Sequence, residues 1–394
     1  MKQMSCDILI VGSGLTGLVA AHSLSLLGFR IILVEQKKIL NNKITLTSDT
    51  RTTAIAEGSK VFLDHIGLWK KLSLFAEPIK NINVIDRSEK NKIEFSNNFR
   101  NNNLGYIVKN SKFFLILKNI LLKKNNVIFI DSIKLNRINY TTNRVEGYFN
   151  NLKIDADLII AADGKKSAIR KILKTPLFKK RYKENALVIN FTHTKNHNNC
   201  AFEFFYKNGP LAILPMQNIY NNYQSSLIWS NQPNFLNSLI KSKDEIIKKI
   251  LYEKIGSTVG SINKILSKQI FQLSSHINSK FYEKKVLYVG DAAHSVHPIA
   301  GQGWNLGLRD IKNLYYLSKD TKNLGLTIGS KQFCIAYNEN CYYDSFRLYQ
   351  VTDKLNGIFK KDNFFINSSR AIGFNIIQRS KRLKKFITNF AMGF

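Results

Sequence analysis

The stretch that decides the fold is residues 286–310, VLYVGDAAHSVHPIAGQGWNLGLRD. Its first four residues are apolar and can form one buried strand, which Gly290 and Asp291 end where a parallel strand would meet its loop. An acid at this position suits a ligand rich in hydroxyl groups, whereas an ordinary strand–loop–helix turn seldom needs an acid, a proline and several glycines together. The glycines after Pro298 let backbone N–H groups approach a planar or anionic group before a helix that should begin near Trp304. These glycines are Gly301, Gly303 and Gly307.

A second glycine-rich stretch lies near the start of the chain, at residues 6–17, CDILIVGSGLTG. A short β-branched run leads into the glycines, and a helical pattern follows them. The next predicted strand, residues 30–34, ends in Glu35, where a carboxylate can accept hydrogen bonds from the ribose of an adenine dinucleotide. Since strand, turn, helix and acid are all present, the stretch predicts a dinucleotide site. Its glycines allow a tight turn, approach of the pyrophosphate and close helix packing; they are Gly12, Gly14 and Gly17.

Composition limits the class of protein. With 394 residues, 44% of them hydrophobic, the chain can form two domains or one domain with a large insertion. The formal net charge of +32 would by itself suggest a nucleic acid or an anionic membrane as partner. Lysine and asparagine nevertheless recur along nearly the whole chain, as a composition bias on the solvated surface would produce. Without a clustered basic and aromatic face, we do not expect nucleic-acid binding.

Neither a metal site nor a membrane span is predicted. The four cysteines, Cys6, Cys200, Cys334 and Cys341, form no CxxC pair, which fits a reducing cytoplasm. His193 and His197 lie four residues apart without a carboxylate partner, so we interpret them as ordinary core or surface histidines. No run of about 18 uncharged apolar residues is present. A strand therefore explains the apolar run from Ile8 better than a secretory signal does.

Between the two glycine-rich stretches, two further sites are predicted. Arg51 precedes an apparent helix over residues 53–66, from which it can reach a pyrophosphate; a solvated arginine at a helix start is the alternative. Residues 155–164, DADLIIAADG, predict another buried strand that ends in an Asp-Gly turn. Asp163 can there contact a second nucleotide or support the cofactor site, and a purely structural turn is the alternative.

The pattern predicts a second domain and a helical end. Alternating β-branched and aromatic runs over residues 79–95 and 186–229 predict antiparallel strands. Beyond Asp310 the chain is helical almost to its end. We therefore expect a discontinuous dinucleotide domain, an inserted substrate domain and a C-terminal helical region. Their predicted bounds are 1–75, 104–178 and 275–330 for the first, 76–103 and 179–274 for the second, and 331–394 for the third.

The three glycine and aspartate motifs, in this order, resemble those of the single-component flavin-dependent aromatic hydroxylases, the group of p-hydroxybenzoate hydroxylase. Smaller details resemble the ubiquinone-biosynthesis hydroxylase family. They are Arg51 with Ala54 after Asp49, residues 104–108 (LGYIV), residues 209–215 (GPLAILP), Thr352 with Asp353, and residues 370–373 (RAIG). The resemblance covers most of the chain. It implies an α/β fold in which a Rossmann-like FAD-binding domain carries an inserted antiparallel sheet and a helical C-terminus.

The resemblance also implies the chemistry. NAD(P)H would reduce FAD, O₂ would add as a C4a-hydroperoxide, and this oxygen would attack the ring of a polyprenylated phenol, so that no catalytic triad is needed. Gly12, Gly14, Gly17, Glu35 and Arg51 would hold the ADP half of FAD, Asp291 the ribityl chain, and residues 298–305 the isoalloxazine. Within that last segment Pro298 and Gly301 are candidates for the flavin face, with Gly303 and Asn305 beside them. The strands around residues 202–206 are candidates for an apolar substrate pocket, although core packing explains them as well.

One segment departs from the family pattern, and two other functions stay open. After Ile107 and Val108 the family usually continues with an acid, an asparagine and an arginine, whereas this chain has Lys109, Asn110 and Ser111. A flavin-dependent reductase or dehydrogenase of the same fold is one alternative. A non-catalytic flavoprotein subunit of a ubiquinone-biosynthesis complex is the other.

The C-terminal tail has the pattern of an amphipathic helix. Its apolar residues at helical spacing are Leu383, Phe386, Ile387, Phe390, Ala391 and Phe394, and its basic residues are Arg379, Lys381, Arg382, Lys384 and Lys385. Such a helix can lie in an anionic membrane interface and receive a polyprenylated substrate there. A terminal helix packed on the protein's own core is the alternative. We expect a cytoplasmic protein, and the first of these two interpretations would place it peripherally at the inner face of the cytoplasmic membrane.

Overall fold

Apolar runs form the central sheet, whose strands are parallel except for one short edge strand. The computed structural model describes residues 1–39, 49–87, 91–96, 103–219, 222–360 and 364–393. The sheet has the order β19-β20-β13-β2-β3-β9. Its strands are β2 (Ile8–Val11), β3 (Ile31–Val34), β9 (Val127–Ile130), β13 (Leu158–Ala161), β19 (Tyr282–Glu283) and β20 (Val286–Tyr288). Strands β2, β3, β13 and β20 are buried along their whole length because both faces of the sheet are covered.

Helices cover one face of this sheet. Helix α1 (Leu15–Leu26) packs between α4 (Asn110–Leu121) and α8 (Gly303–Asn323). The opposite face carries a small sheet of order β1-β12-β11-β10. Its strands are β1 (Lys2–Ser5), β10 (Arg137–Tyr140), β11 (Val145–Tyr148) and β12 (Leu152–Ala156). A side chain at Gly147 would meet Leu9 at 2.8 Å, so the two sheets are in direct contact.

The prediction of one strand over residues 155–164 is wrong. The chain changes sheet at Asp157, so that β12 and β13 belong to different sheets. The N–H groups of Asp157 and Leu158 both donate to the carbonyl of Asp7, and the Asp157 carboxylate lies 3.3 Å from Nε of Arg144. The charged Asp157, which pairs with Arg144, therefore separates the two strands.

The predicted helix over residues 53–66 is wrong at its start. Residues Thr52–Ala56 form β4, which pairs antiparallel with β8 (Gly105–Lys109) in a sheet completed by β5 (Ala76–Ile79). Helix α2 (Glu57–His65) begins only after this strand, and the short α3 (Trp69–Leu72) follows. Two consecutive threonines favour the extended backbone, and β8 supplies the ladder that a helix would lack.

The predicted antiparallel strands form an eight-stranded sheet of order β21-β18-β14-β17-β16-β15-β6-β7, in which β15 and β6 pair in parallel. Its strands are β6 (Asn81–Asp86), β7 (Asn91–Ser96), β14 (Leu177–His193), β15 (Cys200–Tyr206), β16 (Gly209–Ile219), β17 (Asn222–Asn231), β18 (Ile262–Asn278) and β21 (His294–Ser295). Helices α6 (Pro233–Lys241) and α7 (Asp244–Ile255) cover its outer face, where Phe204, Trp229 and Leu251 are buried. The opposite face, called the inner face below, points toward β4 and β8.

The C-terminal region is helical as predicted, with α9 (Lys331–Lys360), α10 (Phe364–Arg379) and α11 (Lys381–Met392). Helix α9 crosses the inner face. Its Asp353 accepts hydrogen bonds from Lys180 and Tyr182 of β14, and its Phe359 stacks on Phe205 of β15 with ring centroids 3.7 Å apart. In the described part of the chain, no helix is long and apolar enough to cross a membrane.

Candidate cofactor and substrate site

The first glycine turn leaves room above a helix N-terminus. Gly12 has φ +106°, and a side chain there would approach the carbonyl oxygen of Ala162 to 2.4 Å. A side chain at Gly17 would come within 2.0 Å of the Gly12 carbonyl oxygen, so α1 and β2 could not pack as they do. At Gly14 an added Cβ would meet nothing within 4 Å. The first turn of α1 therefore faces open space, where its N–H groups can bind an anion.

Glu35 is fixed beside this turn. Its Oε2 accepts hydrogen bonds from the N–H and the hydroxyl of Ser13, both at 2.9 Å, and its Oε1 accepts from the N–H of Lys37 at 3.0 Å. A carboxylate can accept about four hydrogen bonds, so one remains for a ribose hydroxyl.

The turn at Asp291 is held by two buried side chains that sequence reasoning missed. Asp310 of α8 accepts hydrogen bonds from the N–H of Gly290 at 2.9 Å and from the His294 ring at 2.7 Å. Gly307, one turn earlier on α8, packs so closely that an added Cβ would lie 3.0 Å from the Gly290 Cα. The helical spacing of Gly303, Gly307 and Asp310 was the signal that these residues share a face.

The Asp291 carboxylate is exposed within a recess of the protein. The loss of hydration in the recess raises the pKa of Asp291, although His294, Lys165 and Arg51 favour its ionised form. No hydrogen bond is recorded between this carboxylate and any described residue. Within the described part of the chain the carboxylate is therefore a free acceptor, which can bind the hydroxyl groups of a ligand.

Arg51 lies near Asp291 but is paired with another acid. Its guanidinium donates to both carboxylate oxygens of Asp49 at 2.8 Å, and its Cζ lies 5.4 Å from the ring centre of Phe271. The hydrogen bonds that Arg51 donates to Asp49 raise the pKa of Arg51. Asn110, in the segment that departs from the family pattern, donates to Asp49 at 3.3 Å and accepts from the Thr53 hydroxyl at 2.6 Å. This asparagine therefore supports the pair.

Asp163 caps a short helix, α5 (Ala168–Ile172). Its Oδ2 accepts from the N–H groups of Ala168 at 2.7 Å and Ile169 at 3.2 Å. Burial raises the pKa of the carboxyl, and its Oδ1 is buried without a hydrogen-bond partner among the described residues. The structural alternative thus explains one oxygen of Asp163 and leaves the other buried without a partner among the described residues.

Arg170 of α5 connects two turns of the site. Its guanidinium donates to the carbonyls of Lys165 at 2.7 Å and Ala292 at 3.0 Å. It therefore ties the Asp163 turn to the Asp291 turn.

The loop from Pro298 to Asn305 connects this site to the inner face. Gly301 has φ +62°, and an added Cβ would lie 3.1 Å from that of Ala54. Helix α8 begins at Gly303, one residue before the predicted start, and has no side-chain cap, so its first N–H groups are available to an anionic group. The Asn305 amide donates to the Ala54 carbonyl and accepts from the Ala56 N–H, each at 2.9 Å. Asn305 thus links β4 to the loop through two hydrogen bonds.

An apolar cluster lies between Gly301 and the inner face. This interdomain cluster includes Ala54, Leu104, Ile107, Ala201, Leu214, Met216 and Met392. The predicted assignment of the aromatic rings of residues 202–206 to the pocket is wrong for Phe202, Phe204 and Tyr206, which pack on the outer face under α6 and α7. Because side chains alternate along a strand, Ala201, Glu203 and Phe205 occupy the inner face instead.

The C-terminal helix α11 reaches this site. Gln302 donates to the Ala391 carbonyl at 3.0 Å, Met392 belongs to the interdomain cluster, and Phe390 packs with Val296 and Leu306. Phe386, by contrast, is 66% exposed. Phe390 of the predicted apolar face is therefore partly buried against the protein, whereas Phe394 lies outside the described residues.

These features fit FAD. The open first turn of α1 suits a pyrophosphate, the free Asp291 carboxylate suits a polyol, and the uncapped α8 N-terminus suits a flavin ring that becomes anionic on reduction. His193 and His197 are both buried, and no group of three or more potential metal ligands occurs in the described ranges.

Comparison with known proteins extends these observations. A family model described as FAD binding domain matches residues 5–317. Ubiquinone hydroxylase UbiL of Rhodospirillum rubrum is 28% identical over 393 residues, covering 98% of this chain and 89% of that protein. The 3-demethoxyubiquinol 3-hydroxylase of Escherichia coli is 23% identical over 395 residues, covering 100% of both. The crystal structure of p-nitrophenol 4-monooxygenase from Pseudomonas putida has the same fold, with a TM-score of 0.79 at 14% identity over 98% of this chain and 97% of that one.

Proposed function

Because this chain belongs to the FAD binding domain family, we propose that it hydroxylates the aromatic ring of a polyprenylated phenol, with O₂ as oxygen source and reduced nicotinamide as electron donor. The family match and the structural neighbours confirm FAD and the predicted fold class. The observation that carries the proposal is similarity along 98–100% of the chain to proteins named as ubiquinone and demethoxyubiquinol hydroxylases. A place in a complex of ubiquinone-biosynthesis enzymes is part of the same proposal.

FAD would be held by residues from both glycine-rich stretches, and when bound it supplies the redox chemistry of oxygen transfer. The ADP half would contact Gly12, Gly14, Gly17, Glu35 and Arg51; the ribityl chain would contact Asp291; and the ring would contact Pro298, Gly301, Gly303 and Asn305, with Asp163 beneath the site. Glu35 and Asp291 would accept hydrogen bonds from hydroxyl groups.

The chain's own contribution is electrostatic and steric. The N–H groups at the start of α8 would stabilise negative charge on the reduced ring, because they carry the positive end of the helix dipole. The interdomain cluster would keep water from the reacting oxygen, since its members are apolar and several are buried. The inner face beyond it would hold the phenol.

Oxygen uptake distinguishes this function from the reductase alternative. Purified holoprotein with reduced nicotinamide and a short-chain prenylphenol should consume O₂ in proportion to hydroxylated product, and isotopically labelled O₂ should place its label in the new hydroxyl. Reduction of a substrate without label in the product would refute the proposal in favour of a reductase. A stoichiometric flavin that is never reduced would favour the non-catalytic subunit.

We also propose that the protein meets its substrate at an anionic membrane surface. Ile372 and Ile376 of α10 are 59% and 55% exposed, and Phe386 of α11 lies on the neighbouring helix. Arg379, Lys381 and Arg382 are exposed at the junction of these helices. Each cation near an anionic bilayer contributes about 1 kcal/mol, so this surface can hold the protein peripherally.

Serine substitutions test this surface better than removal of α11, because truncation would also remove Met392 from the site. Ile372→Ser, Ile376→Ser and Phe386→Ser together should reduce co-sedimentation with anionic liposomes. A matched control replaces three exposed apolar residues elsewhere, Leu74→Ser, Leu324→Ser and Leu326→Ser, and should sediment as wild type does. Equal loss of binding in both variants would show that general hydrophobicity, and not this surface, is responsible.

A further inference from the structure

Glu203 is an acid on the inner face of the substrate sheet. It lies on β15 between Ala201 and Phe205, and its register partners are Ala212 on β16 and Val84 on β6. All four neighbours are apolar. The acid is therefore set into an apolar surface, where a carboxyl group has no structural advantage.

Its position places it between the interdomain cluster and α9. Ala201, two residues before Glu203, packs with Ala54 and Met392 next to Gly301. Phe205, two residues after it, stacks on Phe359 of α9. Residues i and i+2 of a strand are about 7 Å apart. Glu203 is therefore about that distance from Ala201, a member of the cluster beside the flavin loop.

The Glu203 carboxyl lacks a polar partner in the part of the chain that the structure describes. It is surrounded by protein, yet its side chain keeps some accessible surface, as a group that lines an enclosed space does. No hydrogen bond or ion pair to any described residue is recorded for it. Burial alone raises the pKa of this carboxyl to about 8.

The charged groups around it are occupied with each other. Asp86, next along the inner face on β6, lies 3.4 Å from Nε of Arg370 on α10. On α9, Asp353 pairs with Lys180, and Lys360 pairs with Glu184. On β7, Glu94 is on the opposite face and pairs with Lys92. Among the described residues these pairings leave Glu203 as a polar group without a partner, so its carboxyl is available to a bound molecule.

We propose that Glu203 binds the ring hydroxyl of the phenol substrate and accepts its proton during oxygen transfer. This inference rests on the proposed function. An electrophilic oxygen attacks a phenolate faster than a phenol because the ring carries more electron density. A carboxyl of raised pKa is closer in basicity to a phenol, whose unperturbed pKa is about 10, than an ordinary glutamate is.

The proton and electron balance is as follows. The O–H bond of the substrate breaks and its proton moves to the Glu203 carboxylate, while the O–O bond derived from O₂ breaks and the new C–O bond forms on the ring. The ring C–H proton then leaves to water, and the proton on Glu203 returns to the original oxygen. O₂ supplies the inserted oxygen, reduced nicotinamide supplies two electrons, and the second oxygen atom leaves as water.

Glu203→Gln and Glu203→Asp, compared over a range of pH, test this role. With wild-type holoenzyme and a short-chain prenylphenol, kcat/KM for hydroxylation should rise with pH through an apparent pKa of about 8, because the carboxylate is the active form. Glu203→Gln should bind FAD normally, lower hydroxylation roughly 10²- to 10⁴-fold and lose this pH-dependent rise. Glu203→Asp should retain the rise at a reduced rate.

Glu94→Gln is the matched control, since it removes an acid from a strand of the same sheet but on its other face. It should leave the rate and the pH profile unchanged. A Glu203→Gln variant with the wild-type rate, or with a slower rate but an unchanged rise with pH, would overturn the assignment while leaving the proposed function intact. A wild-type enzyme that hydroxylates no phenol would overturn both.

Discussion

Replacing Asp291 by alanine should weaken FAD binding about 10- to 100-fold and leave the free protein as stable as wild type. The carboxylate is exposed in its recess and has no recorded hydrogen bond to the described chain, so alanine removes no contact of the fold itself. With FAD bound, a ligand hydroxyl would lose a charged acceptor, at a cost of about 1.5 to 3 kcal/mol. At 1.4 kcal/mol per tenfold change in Kd, this cost gives the stated range.

The assay is titration of apoprotein with FAD, followed by quenching of flavin fluorescence, together with thermal unfolding of the apoprotein. Asp291→Asn keeps an acceptor oxygen and should lose less affinity than Asp291→Ala. Asp320→Ala, which removes an exposed acid near the end of α8, should bind as wild type does. An unchanged Kd for Asp291→Ala, or a loss of affinity matched by a loss of apoprotein stability, would refute the reasoning.

Two further predictions concern Gly14 and His22. Gly14→Val should prevent FAD from binding, because its side chain would fill the open space above α1. A variant that retained stoichiometric flavin would contradict the assignment of the pyrophosphate to this turn. His22 is buried and neutral, with burial lowering its pKa from 6.5 to about 4, so the unfolded chain binds more protons between these values. The free energy of unfolding should therefore fall by up to about 3 kcal/mol as pH decreases from 6.5 to 4, and His22→Leu should flatten this fall in urea titrations by that amount.

The sequence predicted the parts of the site that depend on local spacing. Strand, glycine turn, helix and Glu35 lie within one short segment, and each step of that pattern has a local physical cause. The same holds for the end of β20, where Asp291 follows a buried strand. Glu35 and Asp291 accordingly lie in the structure at the carboxyl ends of β3 and β20, which run in the same direction in one sheet with β2 and β13 between them.

The errors concern contacts with distant parts of the chain. Thr52–Ala56 became a strand because β8, some fifty residues later, pairs with it. The alternation along β15 correctly separates its side chains into an aromatic set and a second set that contains Glu203. It does not show which set faces the flavin loop, because both faces of this sheet are covered by apolar residues, the outer one under helices. The aromatic set was therefore favoured for the pocket, and Glu203 was missed.

In the C-terminal helix, a hydrophobic pattern alone could not distinguish residues exposed to solvent from residues packed on the protein. Its apolar residues share one face by spacing, but the turn that carries Phe386 is exposed, and the last turn places Met392 in the interdomain cluster beneath the Ala391–Gln302 hydrogen bond. If the exposed turn rests on a bilayer, the same helix joins that surface to the loop of Pro298 and Gly301. A polyprenyl tail could then remain near the membrane while its ring reached the inner face, so the membrane proposal and the position of Glu203 describe two ends of one substrate.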